Sequence, residues 1–246
     1  QIDTSSSFGS KNQRVYSGIT TLNYSLEDSL TVAKWYWRVR AVDGAGNVGS
    51  WSGYISFISD RILIADGGVT DDRVDVGASS TVWFTAVYEY DHLVFDSSKG
   101  VLYVTGSSMT WNAENTRWEK AYSYTGVSKH YFQVSSVRDL TYGLTVINDK
   151  AGAKSITWDR VNIELTASHN RMNIGGLANI AWTGFYEYDR TLFTGSFSLN
   201  DSTAKNAVGR YGYKVTSISD PKYALTVFQS NTISVVFDRV AIILSI

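Results

Sequence analysis

Large apolar and polar side chains alternate along most of this chain, and no segment sustains the three-to-four-residue spacing of an amphipathic helix. Val82-Trp83-Phe84-Thr85-Ala86-Val87-Tyr88 and Ala224-Leu225-Thr226-Val227-Phe228 read as strands, since alternate side chains of an extended chain fall on opposite faces. Asp66-Gly67-Gly68, Ile174-Gly175-Gly176 and Asn200-Asp201-Ser202 interrupt the alternation with turn-forming residues. Trp35-Tyr36-Trp37-Arg38-Val39-Arg40-Ala41-Val42 also alternates. It turns through Asp43-Gly44-Ala45-Gly46-Asn47 into a further strand near 54–58. The pattern predicts an all-β protein.

The pattern also repeats. Tyr88-Glu89-Tyr90-Asp91 returns as Tyr186-Glu187-Tyr188-Asp189 at an offset of 98, and Asp60-Arg61-Ile62 as Asp159-Arg160-Val161 at 99. Val134-Ser135-Ser136-Val137-Arg138-Asp139 answers to Val215-Thr216-Ser217-Ile218-Ser219-Asp220 at 81, and Tyr142-Gly143-Leu144 to Tyr223-Ala224-Leu225 at the same offset. Block order is kept, so two copies of one unit occupy 60–158 and 159–237. The fall in offset assigns an insertion to the first copy, near 100–124 and around Trp111 and Trp118. Asp238-Arg239-Val240 opens a third copy over 238–246, whereas 1–59 shares none of these blocks. Units of this length suit an immunoglobulin-like β-sandwich of about 100 residues.

Composition sharpens this. Aromatics make up 14% of the chain and there is a single proline, Pro221, a balance that favours uninterrupted strands. The 22 basic and 23 acidic residues are dispersed, which argues against nucleic acid as a partner. No run approaches the roughly 18 apolar residues of a membrane-spanning helix. With no cysteine, disulfides and thiolate metal sites are excluded. The opening Gln1-Ile2-Asp3 suggests a processed start or a segment of something longer.

The tryptophan-rich strand, the Asp43–Asn47 turn and Trp51-Ser52 resemble the last hairpin of a fibronectin type III domain. That resemblance covers 1–59 and implies a partial domain, with Gln1-Ile2-Asp3 as the tail of its third strand. The Asp-Arg-Val junctions and Tyr-Glu-Tyr-Asp segments resemble immunoglobulin-like modules found in tandem on archaeal surface proteins. This second resemblance implies a cell-envelope stalk, a surface-layer protein or an adhesin.

Candidate chemistry is sparse. Glu89, Asp91, Glu187 and Asp189 recur, but each pair is spaced as on one face of a solvent-facing strand end, with too few neighbouring oxygen ligands for calcium. His92, His130 and His169 show no metal-ligand spacing. Asp43 and Asn47 flank a turn that needs glycine. No cofactor is expected, and no catalytic centre. The Asp-Arg pairs Asp60/Arg61, Asp159/Arg160 and Asp238/Arg239 stand at every unit boundary as candidate interdomain salt links. Trp111 and Trp118 are candidate glycan contacts, since inserted loops often bind. Asn23 and Asn200 open glycosylation sequons. Val240, Ile242, Leu244 and Ile246 share one face of a strand that could be donated to another copy.

The reading is a non-catalytic, extracellular rod of β-sandwiches, located at the cell surface. Its partners are neighbouring domains or other copies of itself. A polysaccharide-binding adhesin and an accessory part of a secreted enzyme are the rival readings.

Overall fold

A computed structural model describes residues 1–21, 23–26 and 29–242 of the 246-residue chain. Among these residues the protein is all-β, without a helix. In the first 59 residues lie β1 (Ile2–Asp3), β2 (Ala33–Trp37) and β3 (Ile55–Ser59). The first repeat contributes β4 (Ile62–Val69), β5 (Arg73–Asp75), β6 (Ser79–Tyr88), β7 (Gly100–Val104), β8 (Ser107–Ser108), β9 (Thr110–Asn112) and β10 (Arg117–Ser123). It continues with β11 (Ser128–Phe132), β12 (Val134–Asp139), β13 (Ile147–Asp149) and β14 (Lys154–Asp159), whose last residue opens the second repeat. The second repeat holds β15 (Val161–Ala167), β16 (Arg171–Asn173), β17 (Ile180–Tyr186) and β18 (Ser196–Leu199). It closes with β19 (Gly209–Tyr213), β20 (Val215–Ser219), β21 (Phe228–Ser230) and β22 (Ile233–Asp238).

Two compact units are formed. The first comprises Gln1–Gly67, Trp83–Lys120 and Gln133–Gly152. It contains an antiparallel sheet β1-β2-β3, a sheet β13-β4-β6-β10-β9 and a sheet β12-β7-β8. Its core follows from the alternation on β6, where Phe84, Ala86 and Tyr88 are buried, as are Ile62, Ile64, Leu102, Phe95 and Trp118 elsewhere in the unit; Tyr88 meets Phe95 edge-on, and Phe95 lies against Trp118. Burying each such large side chain contributes roughly 1.5–3 kcal/mol. The expected insertion is a strand pair rather than a loop. In it β9 and β10 match Trp111 to Trp118 across the register and extend the edge of the five-stranded sheet.

The second unit comprises Gly68–Val82, Ala121–Phe132 and Ala153–Ile246. Sheet β17-β15-β21 packs through Val161, Ile163, Leu165 and Tyr186 against Val215, Phe193 and Leu225, with Phe197 and Ile218 of the β18-β20 pair alongside. Val235 and Phe237 of sheet β16-β22-β19 close over Ala178 and Tyr213. This is an immunoglobulin-like sandwich. Sheet β11-β14-β5 carries a smaller aromatic cluster, in which Trp158 meets Tyr124, His130 and Phe132 and donates from Nε1 to the Ala78 carbonyl at 2.9 Å.

Two local expectations are corrected. Asp66-Gly67-Gly68 is not a turn but the continuation of β4. A side chain at Gly67 would lie 2.4 Å from the Phe84 ring, so glycine there serves close strand packing. The segment Ala224–Val227 is not a strand. Ala224 sits at φ 56°, and the strand β21 begins only at Phe228. Its backbone donors go to carboxylates instead: Leu225 N–H to Asp220, and Thr226 and Val227 N–H to Asp75.

Candidate functional site

A dense polar arrangement lies in the second unit, where the first repeat meets the second. It starts from β5, three residues that run parallel to β14 with Thr157 opposite Arg73 and Asp159 opposite Asp75. Residues two apart on a strand share a face, so Arg73 and Asp75 point the same way. Gly77, at φ 86°, turns the chain away, its N–H bonded to the Tyr124 carbonyl at 2.6 Å.

Arg73 is 9% exposed and enters a cradle built entirely by the second repeat. Its Nη2 donates to Asp189 Oδ2 at 2.5 Å, and its Nη1 lies 3.4 Å from Asp159 Oδ2. The guanidinium also covers the rings of Tyr223, at 4.4 Å, and Tyr186, at 5.3 Å. Asp159 is fully buried, and burial raises its carboxyl above the ordinary value. Burial pushes Asp189 up as well, but the Arg73 and Thr191 donors outweigh it and bring the group to about 2. Beside this, Asp75 accepts both the Thr226 and Val227 N–H groups at 2.9 Å and the Thr226 hydroxyl at 2.6 Å. One side chain thus plugs an anionic, aromatic socket while its neighbour grips two backbone donors.

The socket is held from behind. Asp159 Oδ1 accepts the Arg160 and Tyr188 N–H groups, which fixes the start of the repeat to its Tyr-Glu-Tyr-Asp segment. Arg160 makes two bonds to Glu187, at 2.5 and 2.9 Å, and Asn162 adds a third at 3.2 Å. Tyr186 donates its buried hydroxyl to Asp220 at 2.7 Å and meets Tyr223 edge-on. The first repeat reproduces these contacts, except that the third bond to its glutamate, Glu89, comes from Asn148 of β13. Asp60 accepts from Arg61 and Tyr90, Arg61 pairs with Glu89, Tyr88 donates to Asp139, and Tyr88 meets Tyr142 edge-on. Its cleft of 460 Å³, lined by Lys34, Phe57, Asp60, Tyr88, Asp91 and Tyr142 among others, holds no arginine.

No family model matches the chain, and no curated protein does. Among solved structures it is similar to the Escherichia coli adhesin FdeC, with a TM-score of 0.36, 15% identity, and coverage of 76% of this chain and 68% of that one. It is also similar to the Yersinia pseudotuberculosis adhesin InvE, with a TM-score of 0.28 and 13% identity over 70% of this chain. The chain spans only 58% of that InvE structure. The D0-D1 domain of intimin follows at a TM-score of 0.26 and 10% identity, covering 71% and 99% of the two chains. These likenesses are distant in sequence and in superposition, and no functional statement rests on them.

The remaining candidates take the following places. The Asp-Arg pairs are not joined to each other through their side chains as salt links: each aspartate caps backbone, and Arg61 and Arg160 bond to glutamates. These glutamates are partly buried ion-pair members rather than free strand-end carboxylates. Trp118 is buried, with Nε1 donating to the Phe95 carbonyl at 2.8 Å, so no face of its ring is left for a sugar to stack on. Trp111 lies edge-on against it at 5.5 Å. Asn23 is exposed, whereas the Asn200 amide already bonds Lys214 N–H and the Gly212 carbonyl. His130 stacks on Tyr124 at 3.8 Å, and His92 and His169 are exposed. Among the described residues no three His, Asp or Glu side chains gather as a metal site. Val240 and Ile242 are exposed, while Leu244 and Ile246 lie outside the described residues. Asp220 and Tyr223 fall within the repeated blocks of the sequence, whereas Arg73 and Asp75 lie outside them. The recurrence of Arg73-Val74-Asp75 as Arg171-Met172-Asn173, at the same offset of 98 as Tyr-Glu-Tyr-Asp, was the available signal.

Proposed function

We propose that this chain is a structural segment of an extracellular, cell-surface protein, a row of β-sandwiches whose work is to pack and to join, with no reactive centre. The observation that carries the reading is the Arg73–Asp75 clasp. It joins two repeats that share a residue instead of a linker, since Asp159 both ends β14 and caps the second repeat. A joint made of a buried guanidinium, two carboxylates and two tyrosines restricts orientation, because its parts engage only in one geometry. The sequence resemblance to tandem envelope modules supports the surface location, and a chain without cysteine is compatible with it.

Spin labels on Lys129→Cys and Ser217→Cys, both exposed positions of the second unit in a chain free of other cysteines, test the joint. The distance distribution between them is expected to be narrow, and to broaden when Arg73→Ala and Asp75→Ala are introduced together. An equally broad distribution in both proteins would remove the basis for the reading.

A further inference from the structure

The second repeat carries its own copy of the clasp's inserting half. β16 runs parallel to β22 with Arg171 opposite Val236 and Asn173 opposite Asp238, the same register as β5 on β14. Ile174 N–H bonds the Asp238 carbonyl at 3.1 Å as Val76 N–H bonds Asp159, and Val236 N–H bonds the Asn170 carbonyl as Thr157 N–H bonds Asp72. Gly175, at φ 81°, turns the chain as Gly77 does. Asp238 caps Arg239 N–H at 2.8 Å, as Asp159 caps Arg160. Arg171 Nη1 reaches toward Asp238 Oδ2 at 3.7 Å, as Arg73 reaches toward Asp159.

The surroundings differ. Arg171 is 70% and Asp238 40% exposed, against 9% and 0% for Arg73 and Asp159. A cleft of 540 Å³ opens beside them, lined by Met172, Asn173, Gly176 and Arg239 as well. Val240 and Ile242 are exposed, whereas Val161 and Ile163 at the matching positions are buried.

We infer that the face around Arg171, Asn173 and Asp238 is a docking surface for an immunoglobulin-like module of this chain's own repeat kind, with Asp238–Ile242 as its opening strand. The occupant must supply what the second repeat supplies to Arg73: one carboxylate beside two tyrosines for the guanidinium, and backbone N–H donors for the residue two places on. Asn173 in place of Asp75 keeps one acceptor oxygen for those donors and gives up the charge. The surface and its occupant have unlike faces, so each docking leaves the same inserting half free for the next. The inference rests on reading the Arg73 clasp as a joint between repeats.

Phenylglyoxal labelling of arginines, followed by peptide mass spectrometry, tests it. In the chain as it stands, Arg171 is expected to label about eightfold faster than Arg73, in line with their exposures of 70% and 9%. In a lengthened chain, with 238–246 replaced by a second copy of 159–237, Arg171 is expected to slow to the Arg73 rate. Asp189→Ala within the added copy should speed it again. Arg171 labelling unchanged beside a cooperatively melting added module overturns the inference. Arg171 protection that grows with concentration in the original chain also overturns it, since the occupant is then a second copy. If the lengthened chain does not fold, Val74→Met with Asp75→Asn in the original chain places the β16 sequence at β5. Arg73 labelling within about twofold of its former rate supports the inference, and a rise to the Arg171 rate overturns it. Fast labelling of Arg73 in the unaltered chain would instead defeat the joint itself.

Discussion

Replacing Arg73 by alanine is the most informative single perturbation. The side chain is 9% exposed and its loss leaves Asp159, which is fully buried, without an opposing charge. Breaking a buried pair by removing one member costs about 3–5 kcal/mol, because the remaining charge stays desolvated. The stacking on Tyr223 and Tyr186 adds about 0.5–1 kcal/mol per ring. Asp189 contributes less, being 31% exposed and open to water. A loss of about 3–5 kcal/mol at pH 7 corresponds to a fall in Tm on the order of 10 °C for a chain of this length. Urea unfolding followed by tryptophan fluorescence measures it, with Trp158 close to the joint. The penalty should shrink in acid. Asp189, held at about 2 with Arg73 present, contributes stability above its unfolded value of 3.8 that is lost as pH falls toward 2. In Arg73→Ala both carboxyls take up protons earlier, and the two proteins converge. Arg73→Lys keeps the charge without the planar fork and should fall between. A cost below about 1 kcal/mol would refute the argument, as would additivity with Asp189→Ala to within about 0.5 kcal/mol.

Asp75→Ala removes the acceptor for two backbone N–H groups and a hydroxyl; it should cost about 1.5–3 kcal/mol and speed hydrogen exchange at Thr226 and Val227. Asp75→Asn should cost less, since one oxygen remains. Tyr88 donates to Asp139 in the core, and burial raises its phenol to about 12. Stability from that group is present below pH 10 and lost as pH rises through about 12, and Tyr88→Phe should abolish this alkaline loss while costing about 1.5–3 kcal/mol at pH 7. Gly195→Ala places a methyl group 2.1 Å from the Ser219 carbonyl and should destabilise by about 1–3 kcal/mol or more in thermal melts. Gly53→Ala, with open space around it, should stay within about 0.5 kcal/mol.

Fold class was legible because alternation is a local property: β6 buries every second residue as its sequence implies. Ala224–Phe228 alternates just as well, yet it is drawn off the ladder by two carboxylates. One, Asp220, is five residues away; the other, Asp75, is about 150 residues away in sequence, a distance that no periodicity argument spans. Gly67 misled for a related reason, since a glycine admitting a neighbouring ring and a glycine making a turn look alike in sequence. The repeats were visible, and with them the socket's Asp159, Tyr186 and Asp189. What enters the socket was not, because β5 is three residues long and carries no pattern of its own. Trp111 and Trp118 were read as loop aromatics, whereas the insertion spends them on pairing β9 with β10.

The parallel pairing of β5 with β14 has a mechanical consequence. Tension drawn along the chain through Asp159 pulls β14 lengthwise past β5, so the ladder bonds between them are sheared together instead of being unzipped one at a time. The same stroke drags Asp159 along the Arg73 guanidinium. Under such a pull the three β5–β14 pairs and the Arg73–Asp159 contact would take up load together, as a group.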